Sequence, residues 1–135
     1  MIILTNSIAQ TLAPGQSATF DSAILKCGCA ECWRNNSGAV RLGRDNSIYE
    51  INFNGNIGAE AAGIAQLAIS LDNSPLLETT MISQTAAADE LNNVGCHTAV
   101  RTCCCGGSEA ITVVNTGTTT ITLGSNPCLF IKRIA

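Results

Sequence analysis

Cysteine is the residue type in this sequence most able to do chemistry, because it binds metals, forms disulfides and acts as a nucleophile. The chain has eight cysteines among its 135 residues. They fall in three places: Cys27, Cys29 and Cys32; then Cys96, Cys103, Cys104 and Cys105; then Cys128. Three uses fit this distribution, namely a zinc site, disulfides and buried free thiols.

The Cys29-x-x-Cys32 spacing is typical of one half of a zinc knuckle. Zinc takes four thiolate or imidazole ligands, so a second pair would come from Cys103 and Cys105, or from Cys96 with His97. The sequence contains no second C-x-x-C. Zinc is therefore kept as an alternative, and no cofactor is predicted.

All eight cysteines are disulfide candidates, since an even number allows complete pairing. In an extended segment over residues 94–105, Cys103 and Cys105 point to one face and Cys104 to the other. Partners in residues 27–32 and on a neighbouring subunit would satisfy both faces. Buried free thiols remain the third alternative, because disulfides rarely persist in a cytosol.

The remaining polar residues do not assemble into a catalytic motif. His97 is the only histidine, and no Ser/His/Asp or Cys/His/Asn arrangement accompanies it. The sequence also lacks a phosphate-binding glycine loop and a dinucleotide fingerprint. We therefore predict that the protein is not an enzyme and has no catalytic residues.

Composition excludes several classes of partner. Charged residues make up 13% of the chain and the net charge is −3, so the basic surface that nucleic-acid binding needs is absent. The sequence has no apolar run long enough to cross a membrane and no basic segment before Lys26, so no signal peptide is predicted. Synthesis in a cytosol is expected. The many cysteines then favour a particle that is built inside a cell and released whole, such as a virion or a spore.

Short alternating segments separated by turn residues dominate the chain. In residues 48–53, Tyr49, Ile51 and Phe53 share one face, and in residues 64–71 Leu67, Ile69 and Leu71 do so. Further strand candidates are residues 17–20, 40–42, 76–83, 94–104, 111–115, 119–123 and 128–134. About eight to ten short strands without a long helix predict a single all-β sandwich or barrel spanning residues 1–135.

The small share of charged residues also favours self-association. Residues 64–69 carry small or apolar side chains on both faces, which favours burial on two sides. A chain with so few charges is expected to hide part of its surface against copies of itself.

Several segments resemble bacterial and phage domains related to C1q and tumour necrosis factor (TNF). Residues 11–20 (TLAPGQSATF) resemble the opening strand segment of that family. Residues 47–53 (SIYEINF) resemble its G-x-Y-x-I-x-F strand, and residues 61–75 (AAGIAQLAISLDNSP) its A-G-x-V-x-L-x-L-x-x-N-G-x-P hairpin. Residues 111–117 (ITVVNTG) and 129–134 (LFIKRI) resemble its two closing strands.

The resemblance implies a jelly-roll sandwich of antiparallel strands that packs as a homotrimer around a threefold axis. Residues 1–20 would supply the first strand segment and an inter-subunit arm. The apolar strands would line the axis, and the trimer-core candidates are Tyr49, Ile51, Phe53, Leu67, Ile69, Leu71, Val113 and Ile131.

The relatives most similar in style are the C-terminal domains of collagen-like spore-surface glycoproteins and phage fibre or head-decoration proteins. They imply a structural protein on the exterior of a virion or spore, cross-linked through cysteines, whose partners are itself and other particle proteins. The alternative is a C1q-like adhesion module that binds a host-surface receptor or glycan. Two features depart from the family: the chain has no collagen-like stalk, and the eight cysteines are not part of the pattern.

Overall fold

The computed structural model describes residues 1–28, 30–88, 90–103 and 109–135. These residues form thirteen β-strands and one turn of 3₁₀ helix, Leu77–Thr79. The strands are β1 (Ile2–Thr5), β2 (Gln10–Leu12), β3 (Ser22–Lys26), β4 (Glu31–Cys32), β5 (Val40–Leu42), β6 (Ile48–Ala59), β7 (Gly63–Leu71), β8 (Ser74–Pro75), β9 (Met81–Thr85), β10 (Asn92–Arg101), β11 (Ala110–Val114), β12 (Ile121–Leu123) and β13 (Cys128–Arg133). The all-β prediction is confirmed. No helix in the described ranges has the length and apolar character needed to cross a bilayer.

The strands form two antiparallel sheets. Sheet 1 has seven strands in the order β2-β12-β6-β13-β1-β3, with β10 pairing along the other edge of β6. Sheet 2 has six strands in the order β4-β5-β11-β7-β8, with β9 also pairing with β7. The two sheets pack face to face around one apolar core.

The longest strand, β6, lies in the middle of sheet 1 because its residues alternate over their whole length. Tyr49, Ile51, Phe53 and Ile57 point into the core and are at most 2% exposed. Alternation continues through Gly55, where a Cβ atom would lie 3.1 Å from both the Leu123 side chain and the Phe53 ring. Glycine there keeps the strand continuous beneath two large side chains.

The hairpin between β7 and β8 shows how turn chemistry fixes register. Asp72 and Asn73 both have positive φ, 49° and 65°, and they connect the paired residues Leu71 and Ser74. Positive φ at both central residues is the signature of a type I′ turn, and Asp and Asn tolerate it better than other non-glycine residues. The turn predicted at residues 72–75 is confirmed at Asp72 and Asn73, whereas Ser74 and Pro75 already belong to β8.

Residues 1–20 differ from the expectation of one strand segment and an inter-subunit arm. They contain two strands of the chain's own sheet 1, and Ile2, Leu4 and Leu12 are at most 1% exposed in its core. Residues 17–20 form no strand; Ser17 makes an isolated bridge to Val114, while Ala18 and Phe20 are fully buried. This segment packs within its own chain because its apolar residues complete the core.

Thirteen strands exceed the predicted eight to ten. The strands that were not among the candidates are β1, β2, β3, β4 and β8, of which β2 has three residues and β4 and β8 have two. Two or three residues are too few to show alternation in a sequence. Such segments become strands only through hydrogen bonding to a longer neighbouring strand.

Candidate functional site

The predicted trimer-core residues lie inside a single chain. Seven of them are at most 2% exposed: Tyr49, Ile51, Phe53, Leu67, Ile69, Val113 and Ile131. Leu71 is half-buried against the same core. Their placement on a threefold axis is corrected, because the two sheets of one chain already enclose them. Alternation correctly grouped them on one face, but that face is the internal one.

The opposite face of sheet 1 is therefore the candidate surface for self-association. One row of register partners crosses five strands: Leu25, Ile3, Phe130, Asn52 and His97. Ile3, Phe130 and Asn52 are only half-buried, and Leu25 is 40% exposed. We call the outward surface of β1, β6, β10 and β13, with Leu25, the β6 face.

One half of the β6 face is apolar and the other half is built from amides. In the amide half, Nδ2 of Asn93 donates hydrogen bonds to Oδ1 of Asn54 at 2.9 Å and of Asn56 at 3.1 Å. Asn52 Nδ2 donates to Glu50 Oε1 at 3.4 Å, and His97 Nε2 lies 3.1 Å from the same oxygen. These side chains form an ordered polar surface next to the apolar row.

The described cysteines have no common site. Cys27, Cys32 and Cys103 are exposed, Cys96 and Cys128 are half-buried, and all five carry free thiols in the structure. Burial raises the pKa of Cys96 to about 11, and it also raises the pKa of Cys128. Cys96 packs against the core, whereas Cys128 pairs with Asn54, whose side chain is exposed on the β6 face.

The zinc candidates are only partly covered by the structure. Cys29, Cys104 and Cys105 lie outside the described residues, so the zinc and disulfide predictions for them stay predictions. Among the residues that the structure does describe, no group of three or more His, Cys, Asp or Glu side chains is placed to hold a metal ion.

A second candidate site is a cleft where the edge strands of the two sheets, β3 and β4, approach each other. Its volume is about 760 Å³, and its lining includes Lys26, Cys32, Trp33, Arg34 and Arg41. The hydroxyl of Tyr49 fixes this region by donating a hydrogen bond to the Ala30 carbonyl at 2.9 Å and accepting one from the Arg44 amide at 3.2 Å. Burial raises the pKa of Tyr49, which keeps its hydroxyl protonated as a donor.

Sequence reasoning did not identify this cleft. Its cationic residues lie on separate strands and loops, and no motif joins them. One indication was available in the sequence: four of the seven Lys and Arg residues, Lys26, Arg34, Arg41 and Arg44, fall within residues 26–44.

Comparison with known proteins gives a match by fold and none by sequence. No protein-family model and no curated protein matches the chain. Among solved structures, murine APRIL at pH 5.0 aligns with a TM-score of 0.69 at 14% identity, over 97% of this chain and 96% of that one. The globular domain of zebrafish complement 1qA aligns with a TM-score of 0.64 at 8% identity, over 96% and 94%. The PRD1 vertex protein P5 aligns with a TM-score of 0.53 at 12% identity, over 99% and 97%.

These alignments cover nearly the whole of each chain, and the two-sheet antiparallel architecture agrees with them. The predicted fold is confirmed: the chain has a jelly-roll fold similar to that of murine APRIL and the complement 1qA globular domain.

Proposed function

We propose that the protein is a non-enzymatic structural subunit that assembles with copies of itself, as a homotrimer, on the exterior of a virion or spore. The observation that carries this proposal is the β6 face. It presents a row of apolar side chains across β3, β1 and β13 that stay partly exposed among the described residues, beside amides that are already hydrogen-bonded. Such a surface gains free energy when a second copy removes it from water.

The fold supports this role at a coarser level. A jelly roll similar to a TNF-family ligand, a complement 1q domain and a virion vertex protein fits a structural or binding module. Charged residues at 13% of the chain are consistent with extensive contact between subunits. The trimeric state rests on the family resemblance, and the location on a particle rests on that resemblance together with the similarity to the vertex protein.

Cysteine cross-links belong to the same proposal. Cys27, Cys32 and Cys103 are exposed and therefore accessible to a neighbouring subunit or another particle protein. A disulfide between such partners would join them covalently, so the linked subunits would not dissociate on dilution.

The test is the mass of the native protein, measured by light scattering, for wild type and for Phe130→Arg. The wild type should run as a trimer. The arginine variant should run as a monomer, because it places a charge in the apolar row. Leu77→Arg is the matched control: Leu77 is 82% exposed outside the β6 face, so this variant should stay trimeric. A monomeric wild type, or dissociation by the control alone, contradicts the proposal.

The cross-links need a second measurement. Material purified without reductant should keep an oligomer band in SDS that disappears when reductant is added. Particle association is tested by copurification of the protein with purified virions or spores.

A second candidate function is an adhesion module that binds a receptor or glycan. The observation that favours it is the open cleft beside β3 and β4, whose size suits a small ligand.

A further inference from the structure

The cleft between β3 and β4 brings together positively charged side chains. Three of the seven Lys and Arg residues line it, Lys26, Arg34 and Arg41, although the whole chain has a net charge of −3. All three side chains are exposed, and within the described ranges none of them forms an ion pair. A concave surface lined by one sign of charge concentrates the field and attracts counter-ions.

The one carboxylate in the lining does not neutralise these cations. Glu31 has a side chain that is only 1% exposed, and its Oε2 lies 2.8 Å from the Met1 nitrogen. Its Oε1 accepts a hydrogen bond from the Arg133 amide at 3.2 Å. Both oxygens are thus occupied beneath the surface, so Glu31 does not neutralise the three exposed cations.

Trp33 adds an apolar surface beside the cations. Its Nε1 donates a hydrogen bond to the Ser37 carbonyl at 3.0 Å, which fixes the indole ring, and part of the ring packs against the core. The remaining part lines the cleft. A fixed indole surface packs against the apolar C–H face of a sugar ring, while neighbouring guanidinium groups bind anionic oxygens by charge-assisted hydrogen bonds.

We infer that this cleft binds an acidic saccharide, with the carboxylate or sulfate groups held by Lys26, Arg34 and Arg41 and one sugar ring placed on Trp33. A volume of about 760 Å³ accommodates two or three sugar rings. The inference rests on the second candidate function and names its ligand class. It does not depend on self-association through the β6 face.

The experiment titrates the full chain by calorimetry with adenosine monophosphate and with three tetrasaccharides: a sulfated heparin fragment, a carboxylated hyaluronan fragment and neutral cellotetraose. The acidic fragments should bind at least about tenfold more tightly than cellotetraose, and whichever binds better identifies the preferred anion. Arg34→Gln combined with Arg41→Gln should weaken that binding by about tenfold if one charged hydrogen bond is lost and by about a hundredfold if both are lost, since each is worth roughly tenfold. Trp33→Ala should weaken binding of both acidic fragments.

Two controls distinguish binding at this cleft from nonspecific attraction to any exposed cation and from effects of assembly. Arg101→Gln removes an exposed cation outside the cleft, whose guanidinium contacts Asn46, and it should leave binding unchanged. The monomeric Phe130→Arg variant should bind the saccharide as the wild type does, so failure of assembly and failure of binding are distinguishable. Equal binding of cellotetraose, equal losses with Arg101→Gln, or tighter binding of adenosine monophosphate than of either acidic fragment would overturn the inference.

Discussion

At the scale of single residues, environment distinguishes cysteines that the sequence presents as equivalent. Cys96 faces the core of sheet 1 opposite Phe53, whereas Cys27, directly after β3, and Cys32, in the short strand β4, are exposed. Removal from water disfavours the thiolate, so the same chemical group is inert at one position and reactive at another.

We predict that Cys96 is the last of the described cysteines to react with iodoacetamide. With its pKa raised to about 11, only about 0.1% of this thiol is ionised at pH 8. Mass spectrometry after timed alkylation should show modification at Cys27, Cys32 and Cys103 well before Cys96. Equal rates at Cys96 and Cys27 would contradict its burial.

The same pKa predicts a pH dependence of stability. The unfolded thiol ionises near its ordinary value of 9.0 and the folded one near 11, so unfolding releases a proton in this interval. The free energy of unfolding should therefore fall as pH rises from about 9 to about 11. Cys96→Ala should show a smaller decline over that range in urea titrations.

At the scale of elements, the side chain of Thr79 supplies a hydrogen-bond partner for the backbone along one edge of β7. The strands β8 and β9 pair with its two ends, and the 3₁₀ turn Leu77–Thr79 interrupts them. Thr79 is fully buried there; its Oγ1 accepts a hydrogen bond from the Ile69 amide at 2.9 Å and donates one to the Leu76 carbonyl at 2.6 Å. The hydroxyl thus supplies the partner that an interrupted strand cannot.

We predict that Thr79→Val lowers the free energy of unfolding by about 1–3 kcal/mol, because it leaves a buried amide without an acceptor at nearly constant volume. Thr80→Val is the matched control, since Thr80 is exposed and its hydroxyl bonds only Leu77 of the same turn. Urea denaturation of both variants measures the difference. Indistinguishable midpoints would show that Thr79 acts through packing alone.

The sequence was sufficient to predict the long strands, but it was not sufficient to predict what each strand packs against. Alternation identified Tyr49, Ile51 and Phe53 as one face of β6, because burial on one side imposes period two. Alternation does not tell whether an apolar face meets the partner sheet or a neighbouring subunit, and the trimer-core candidates were misplaced for this reason. The cleft was missed because Lys26 and Arg41 meet only through the packing of two sheets, which local sequence does not encode.

At the scale of the whole molecule, two surfaces of opposite character serve the two candidate functions. The apolar row of the β6 face is centred on Ile3 and Phe130, and the cleft is centred on Arg34 and Arg41. Apolar association is insensitive to moderate salt, whereas attraction between exposed charges is screened beyond about 10 Å at 0.1 M ionic strength.

We predict that salt separates the two activities in one sample. Raising NaCl from about 0.05 M to about 0.5 M should leave the trimer intact and should weaken acidic saccharide binding by about tenfold or more. Light scattering and calorimetry in the same buffers measure both. Dissociation of the assembly by salt would assign its stability to ion pairs and would contradict the role of the apolar row.

The pairing of β1 with β13 governs when the domain is able to fold. Ile2 pairs with Ile131, and β13 lies between β1 and β6, so strands from opposite ends of the sequence are neighbours at the centre of sheet 1. β1 and β3 are able to pair early, but they join the rest of sheet 1 only through β13, and contacts this distant along the chain form slowly. We therefore expect the pair of β1 and β3 to join the sheet late in folding, after β6 has paired with β10.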